Sequence, residues 1–149
     1  HFFLKRNSPT FQGRDVFSPV AAWIAAGKTV ENFGEPIDDY EKICLPAPRV
    51  LKDSVRGEIV HIDKFGNCIS NISQAEIDIL RSRNPKARVR VFLNNRAVPL
   101  SEYYAEASGT SLSSLINSSE YLEFFRNQDS AAKKSRIRIG HKVELKLSL

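Results

Sequence analysis

Three short segments carry residue types that could do chemistry. In Asp63-Lys64-Phe65-Gly66-Asn67 an aromatic ring and a carboxamide flank a glycine, just after a carboxylate. A ring plus an amide is what a purine site uses: the ring face stacks, while the amide accepts from an exocyclic amine and donates to a ring nitrogen. The plain alternative, favoured by these residues alone, is a Gly-Asn hairpin with a core phenylalanine. The second segment, "NSSEYLEFFRNQDSAA" from Asn117 to Ala132, offers hydroxyls at Ser118 and Ser119, then Arg126, Asn127 and Gln128. Hydroxyls beside exposed backbone amides can hold a carboxylate; in isolation the segment is simply a Ser-rich hairpin. The third, "TFQGRD" from Thr10 to Asp15, sets Gln-Gly-Arg-Asp between the apolar stretches "HFFL" and "VFSPVAAWIAAG". None of the three is a metal, phosphate-loop or nucleophile-triad signature. Cys44 and Cys68 have no metal or redox spacing, so no metal or cofactor is expected.

These segments need elements to hold them. "HFFL" predicts a strand, Gln-Gly-Arg-Asp a turn, and "SPVAAWIAAG" a helix with Ser18 as N-cap, Pro19 at the first helical position and Gly27 at the stop. Val20, Trp23, Ile24 and Gly27 follow helical spacing, which predicts one inward face. Strand, turn and helix together make an α/β unit, whose turns hold ligands at the carboxyl ends of strands. Pro36, Pro46 and Pro48 then break regular structure over residues 34–54, a linker. Beyond it "EIVHID", "ARVRVFL", "SRIRI" and "KVELKLSL" alternate with period two, Val143, Leu145, Leu147 and Leu149 sharing one face, and "YLEFF" adds a further strand. Ser73 and Glu76 form a capping box for one helix that must end before Asn84-Pro85. "SGTSLSSLINSS" is expected to be a Ser-rich loop. The organisation is therefore an α/β segment over 1–33, a linker over 34–54, and a mainly antiparallel β domain, a small barrel, over 55–149.

Composition bounds the class. Of 149 residues 42% are hydrophobic and 26% charged, enough for a core, and no apolar run approaches the ~20 residues of a spanning helix. "HFF" is too short for the apolar core of a signal peptide, so a reducing, cytoplasmic setting is expected with no membrane partner. The chain starts at His1 and contains no Met, which is expected of part of a longer protein. The net charge of +5 is uneven: residues 1–54 hold seven basic and seven acidic side chains, residues 55–149 fifteen and ten. That surplus keeps an anionic ligand or nucleic acid open, although an excess spread over many strands is more often a solvated surface and nucleic acid is not the expected partner.

Order and spacing across the three segments resemble one family. Thr10-Phe11-x-Gly13-Arg14-Asp15-x-Phe17-x-Pro19, then Asp63-Lys64-Phe65-Gly66-Asn67 with Asn71-Ile72, then Ser118-Ser119-x-x-Leu122-Glu123 with Asn127 and Ser130-Ala131 look like successive signatures of the S-adenosylmethionine hydroxide adenosyltransferases, relatives of the fluorinase and chlorinase enzymes. The resemblance implies a Rossmann-like α/β domain, of which residues 1–33 are the last part, followed by a barrel. It also implies a homotrimer with the site between one subunit's first domain and its neighbour's barrel, and hydrolysis of S-adenosylmethionine, as substrate, to adenosine and methionine. Position by position, Phe65 would lie against the adenosyl group and Asn67 would bond the adenine edge. Asp63 would accept from the methionine ammonium, Ser118 and Ser119 would meet the methionine carboxylate, and backbone around Arg126, Asn127 and Gln128 would complete the adenine contacts. Phe11 and Gly13 would line the nucleophile's end of the pocket, while Arg14 and Asp15 are read as fixing the turn.

This chain departs from that pattern at Gln12, where the hydrolases carry histidine. An amide can hold a water but cannot take its proton at neutral pH, whereas imidazole titrates near ~6.5. Glu120 stands where the family prefers glycine, and Asp129 where a small residue is frequent. Besides a slowed hydrolase, the sequence is compatible with a binder of S-adenosylmethionine or adenosine that lost its chemistry, with a halide-transferring relative, or with a nucleic-acid-binding barrel.

Overall fold

The computed structural model describes residues 2–5, 10–107 and 109–148 and divides into two units, His1–Ile43 and Cys44–Leu149. Each builds its own local structure.

In the first unit Gly13–Phe17 forms one π-helical turn that runs straight into helix α1, Ser18–Ala25. The turn expected at Gln-Gly-Arg-Asp is thus helical, beginning with Gln12 at φ −58° and ψ −38°. Ser18 does not cap: its backbone is helical and its hydroxyl donates back to the Gly13 carbonyl at 2.8 Å, closing the wide turn. Gly27, at φ +90°, ends the helix as its sequence position requires. The strand expected over "HFFL" is not formed by residues 2–5, and His1 lies outside the described residues. An extended segment needs a ladder partner, and here Leu4 N–H bonds instead to the Asp15 carbonyl at 2.9 Å. Nor does α1 bury its apolar spacing, since none of its residues is buried. Phe2 meets the rings of Trp23 and Phe33 edge-on, at 5.9 and 4.8 Å.

The second unit is a sheet of eight antiparallel strands: β1 Arg49–Val50, β2 Ser54–Ile62, β3 Cys68–Ser73, β4 Arg88–Leu93, β5 Arg96–Val98, β6 Leu112–Ile116, β7 Tyr121–Arg126 and β8 Lys142–Ser148. They are ordered β5-β4-β8-β2-β3-β7-β6, with β1 added beside β2. The two edges of that path come together just after β5. Ser114 N–H donates to the Pro99 carbonyl and Ser101 N–H to the Ser114 carbonyl, both at 2.8 Å, so the sheet nearly closes into a barrel and hides its edges.

Alternation supplies the filling. Val55 and Ile59 of β2, Cys68 and Ile72 of β3, Val91 and Leu93 of β4, Leu122 and Phe124 of β7, and Val143 and Leu145 of β8 share one core. Fully burying each large aliphatic or aromatic side chain is worth about 1.5–3 kcal/mol. Helix α2, Gln74–Arg83, adds Ile77 and Leu80 to the same core. Its capping box is formed as the sequence specifies, Ser73 N–H donating to Glu76 Oε2 at 2.8 Å, and it stops before Asn84-Pro85.

Two expectations fail for identifiable reasons. "SRIRI" is not a strand: Ser130 caps a short helix α3, Ala131–Lys134, by accepting from Lys133 N–H at 3.2 Å. The chain then turns through Arg136 at φ +53°, leaving Ile137 in the core and Ile139 65% exposed. "SGTSLSSLINSS" is not all loop either, because its middle is β6, with Ser113, Ser114 and Leu115 buried. The Ser114 hydroxyl donates to the Pro99 carbonyl at 2.8 Å, which removes the cost of burying it. Ser108 and Leu149 lie outside the described residues.

Two backbone positions make opposite demands on side-chain size. A Cβ on Gly57 would sit 2.2 Å from Asn71 Oδ1 and 2.7 Å from Ile72 Cγ1, where Asn71 accepts from Glu58 N–H at 2.8 Å. Gly57→Ala is therefore expected to cost about 1–3 kcal/mol of stability in urea unfolding, by overpacking. Glu120 occupies φ +65°, a conformation glycine adopts freely. Glu120→Gly should raise stability by about 0.5–1 kcal/mol, read as a higher urea midpoint at unchanged m-value, because relief of the left-handed strain exceeds the added freedom of the unfolded chain.

Candidate functional site

At the end of the barrel where β2 stops and β3 begins, the chain turns through Asp63 to Asn67. Asp63 directs that turn. Its Oδ1 accepts from the Phe65 and Asn67 backbone N–H groups at 2.8 and 2.9 Å, and its Oδ2 from Asn67 Nδ2 at 3.1 Å. The main chain adds Asp63 N–H to the Asn67 carbonyl and Gly66 N–H to the Asp63 carbonyl, both 3.0 Å. A carboxylate has about four lone-pair positions, so one more donor can still be accepted. Gly66 is obligatory: it adopts φ +88°, and a Cβ there would fall 2.0 Å from Ser130 Oγ. Its carbonyl accepts from Ala132 N–H at 2.9 Å, which locks the turn to the start of α3.

This lock leaves a ring and an amide facing outward. Phe65 is 67% exposed, with Lys64 Nζ above its face at 4.9 Å. Asn67 has one amide hydrogen committed to Asp63, which fixes the carboxamide plane and leaves Oδ1 and the second hydrogen for a ligand. Both residues line a cleft of about 560 Å³ together with Tyr104, Arg126, Asn127 and Gln128. That volume lies within the ~300–1,000 Å³ of small-molecule sites. Opposite the turn, Arg126 ends β7, and Gln128 at φ +58° bends the chain around the cleft. Arg126 Nη1 reaches Ser135 Oγ at 3.4 Å, while its buried Nε has no partner among the described residues.

Of the residues singled out from sequence, the fold brings together Asp63, Phe65, Asn67, Arg126, Asn127 and Gln128. Ser118 and Ser119 do not line this cleft. They are exposed at the tip of the β6–β7 hairpin, where Asn117 Oδ1 accepts from the Ser119 and Tyr121 N–H groups at 3.0 and 3.1 Å. The length of β7 separates them from Arg126, roughly 17 Å at ~3.4 Å per residue. Phe11, Gln12 and Gly13 belong to the first unit. There Arg14 grips the buried Asp15 through Nε at 2.6 Å and Nη2 at 3.1 Å, and its guanidinium lies 4.8 Å from the Phe11 ring centre. That pair fixes the turn, in keeping with the reading from sequence.

Sequence reasoning missed Tyr104, and placed Glu123 in a motif without assigning it a role. Glu123 is on the outward face of β7 yet only 4% exposed, because Tyr104 covers it and donates its hydroxyl at 2.7 Å. Asn117 Nδ2 holds the other carboxylate oxygen at 3.0 Å, so the hairpin tip is tied to the cleft wall. The Tyr104 ring packs edge-on against Phe125 at 4.8 Å. Burial pushes the Tyr104 phenol up to about 12, reinforced by the bond to Glu123 and by the charges of Glu123 and Asp63, so it remains a neutral donor. Burial likewise pushes the Cys68 thiol up to about 12, with Asp63 and Glu123 adding to it, and rules it out as a nucleophile at neutral pH. The arrangement can stack a flat ring, bond its edge and accept from a cation. Among the described residues, no group of three or more His, Cys, Asp or Glu side chains could hold a metal, and no helix is long and apolar enough to cross a membrane.

Known proteins carry the same arrangement of chain. The (R)-S-adenosyl-L-methionine hydrolase of Thermus thermophilus is 28% identical over 138 residues, which are 91% of this chain and 49% of that protein. The protein of the same name from Salinispora tropica is 36% identical over 92 residues, 57% of this chain and 35% of its own length. This chain thus spans about half, or less, of the curated relatives it matches. Among solved structures, an uncharacterized conserved protein from Thermotoga maritima superposes with a TM-score of 0.67 at 28% identity, covering 97% of this chain and 55% of its own. A family model described as the SAM hydroxide adenosyltransferase C-terminal domain matches residues 57–144, which hold most of the barrel and all of the first cleft's lining. With more than half of its length in that match, the chain belongs to the SAM hydroxide adenosyltransferase family, to which it contributes the C-terminal domain.

Proposed function

We propose that the protein containing this chain hydrolyses S-adenosyl-L-methionine to adenosine and methionine, and that the Phe65–Asn67 cleft holds the adenosyl group. The observation that carries this reading is the Asp63-ordered turn, which presents an exposed ring and an oriented amide to a cleft of small-molecule size. The relatives' names specify the (R) sulfonium, and that epimer is the substrate proposed here.

The chemistry asks little of the protein. Water attacks C5′, the C5′–S bond breaks with its electron pair passing to sulfur, methionine leaves as a neutral thioether, and the water's proton goes to solvent. No acid is needed for that leaving group, so the gain lies in holding C5′ in line with the nucleophile in a dry pocket. In this scheme Phe65 stacks on the adenine, Asn67 bonds its edge, and Asp63 offers its remaining lone pair to the methionine ammonium, a charge-assisted bond. Ser118 and Ser119 meet the carboxylate, which shares its carbon with that ammonium. Phe11, Gln12 and Gly13 border the attacking water, in a homotrimer whose neighbouring subunits complete each site.

Gln12 favours a second reading, a binder with little turnover, since its amide can place a water without taking its proton. Gln12→His in the whole protein is expected to raise hydrolysis of the (R) epimer roughly 10²-fold, the lower range of general-base assistance. A wild type that binds but is inert beside an active variant would make the protein a binder that lost its base; a variant no faster than wild type would remove Gln12 from the reaction.

The adenosyl assignment has its own test. Phe65→Ala should weaken adenosine binding by about tenfold or more, because stacking one base on an aromatic ring is worth about 1–3 kcal/mol. Stability should stay within about 0.5 kcal/mol, as the ring is mostly exposed. Unchanged affinity in calorimetry would place the adenosine elsewhere.

A further inference from the structure

A second and larger cleft, of about 750 Å³, opens at the same end of the barrel, on the other side of α3. Arg96, Lys134, Arg136 and His141 line it, and no carboxylate does. Nothing in the adenosyl chemistry uses it.

Its lining combines exposed cations with an apolar floor. Among the described residues, Arg96 and Arg136 form no ion pair, a property they share with Arg49, Arg88, Arg90 and Arg138. Lys134 has only a long contact, 3.7 Å, to Asp129 on the far side of α3. Asn94 at φ +46° and Asn95 at +64° make the two-residue β4–β5 hairpin, a conformation asparagine adopts readily, and Arg136 at +53° turns the chain from α3 toward β8. These turns carry Arg96 and Arg136 on the rim of the cleft, at about 1 kcal/mol or more of strain at Arg136. Finally the floor is apolar, formed by Leu93, Val98 and Ile137. A cation-lined rim over an apolar floor suits a ligand with an oxyanion at one end and a flat or aliphatic body at the other. Guanidinium groups bind phosphate with two parallel N–H donors each, a geometry an ammonium cannot copy. Three of the fifteen basic side chains over residues 55–149, Arg96, Lys134 and Arg136, line this cleft.

We propose that this second cleft binds a phosphate-bearing small molecule, its oxyanion held between Arg96 and Arg136 and its apolar part on the Leu93–Ile137 floor. Free phosphates and nucleotides share that oxyanion, and two probes separate them.

The test is titration calorimetry of the full chain with sodium pyrophosphate, and with adenosine monophosphate in a Phe65→Ala background that disables stacking in the first cleft. Saturable one-to-one binding is expected, weakened at moderate salt as for exposed charges. Arg96→Ala and Arg136→Ala should each reduce affinity roughly tenfold, the usual loss for one charge-assisted bond. Arg96→Gln with Arg136→Gly supplies a second pair whose backbone at position 136 is relaxed. Tighter binding of the monophosphate identifies a nucleotide-class ligand; equal or tighter binding of pyrophosphate identifies the phosphate group alone. The proposal is overturned by absence of saturable heat with both probes, by affinity that survives both pairs of substitutions, or by stronger, length-dependent binding of a single-stranded oligonucleotide. Because Phe65 is absent from the background and neither arginine lines the adenosyl cleft, failure here leaves the hydrolase reading standing.

Discussion

The Asp63 carboxylate is the constraint from which the candidate site follows. Three donors converge on it within five residues, two of them from the backbone, and together they convert a β2–β3 connection into a rigid turn. Hydrogen bonds to a carboxylate are about twice as strong as neutral ones. Phe65 can therefore be held with its ring in solvent, a position no core would stabilise, and Asn67 can be held in a single orientation. The locking partner is α3, where the Ser130 cap packs against Gly66 so closely that no side chain fits between them. A turn, a short helix and the end of β7 thus form one rigid frame around the adenosyl cleft.

That frame rests on a barrel with irregular seams. Between Ile59 and His61 the pairing of β2 with β3 shifts register, and between Ile69 and Ser73 so does that of β3 with β7. Bulges of this kind re-aim strand ends beside functional sites. Ser70 repairs the gap: its hydroxyl donates to the Leu122 carbonyl at 3.0 Å and accepts from Ile72 N–H at 3.2 Å. Asn71 does the same on the outside, joining Glu58 N–H to the Pro46 carbonyl. Polar side chains in β3 therefore supply what a regular ladder would have supplied, and the strand stays bonded while bending toward the site.

What was legible in the sequence was local or strictly periodic. The Ser73–Glu76 capping box, the stop before Asn84-Pro85, Gly27 beyond α1 and the alternation of β8 all depend on neighbours within a few residues, and all are formed. "SRIRI" misled because five residues cannot distinguish a strand from a turn with a single core plug; Ile137 is that plug, and the Ser130 cap upstream was the contrary signal. β6 was hidden by its serines, of which Ser114 is satisfied in the interior by Pro99, fifteen positions away. The same limit applies to the site. Phe65, Asn67 and Arg126 could be named from motif spacing, but the pairing of Tyr104 with Glu123 spans nineteen positions and links an apparent loop to an apparently solvent-facing strand residue. Charged residues on the outer face of a strand are ordinarily exposed, and only the cover provided by Tyr104 makes Glu123 an exception.

Both clefts lie at one end of the barrel, and α3 is their common wall. Along the sides every strand bonds its neighbours, so backbone groups are satisfied and side chains are committed to the core or to solvent. At the ends the chain must reverse, and left-handed residues, short helices and paired side chains do the reversing. Arg126 shows the consequence: it lines the first cleft, its Nη1 reaches Ser135 in the second cleft's lining, and its buried Nε has no partner among the described residues. A buried donor of that kind costs about 1–3 kcal/mol unless something accepts from it. Arg126 Nε is therefore the one buried side-chain donor among the described residues that the fold leaves open, and it lies where the chain leaves the barrel's regular ladder.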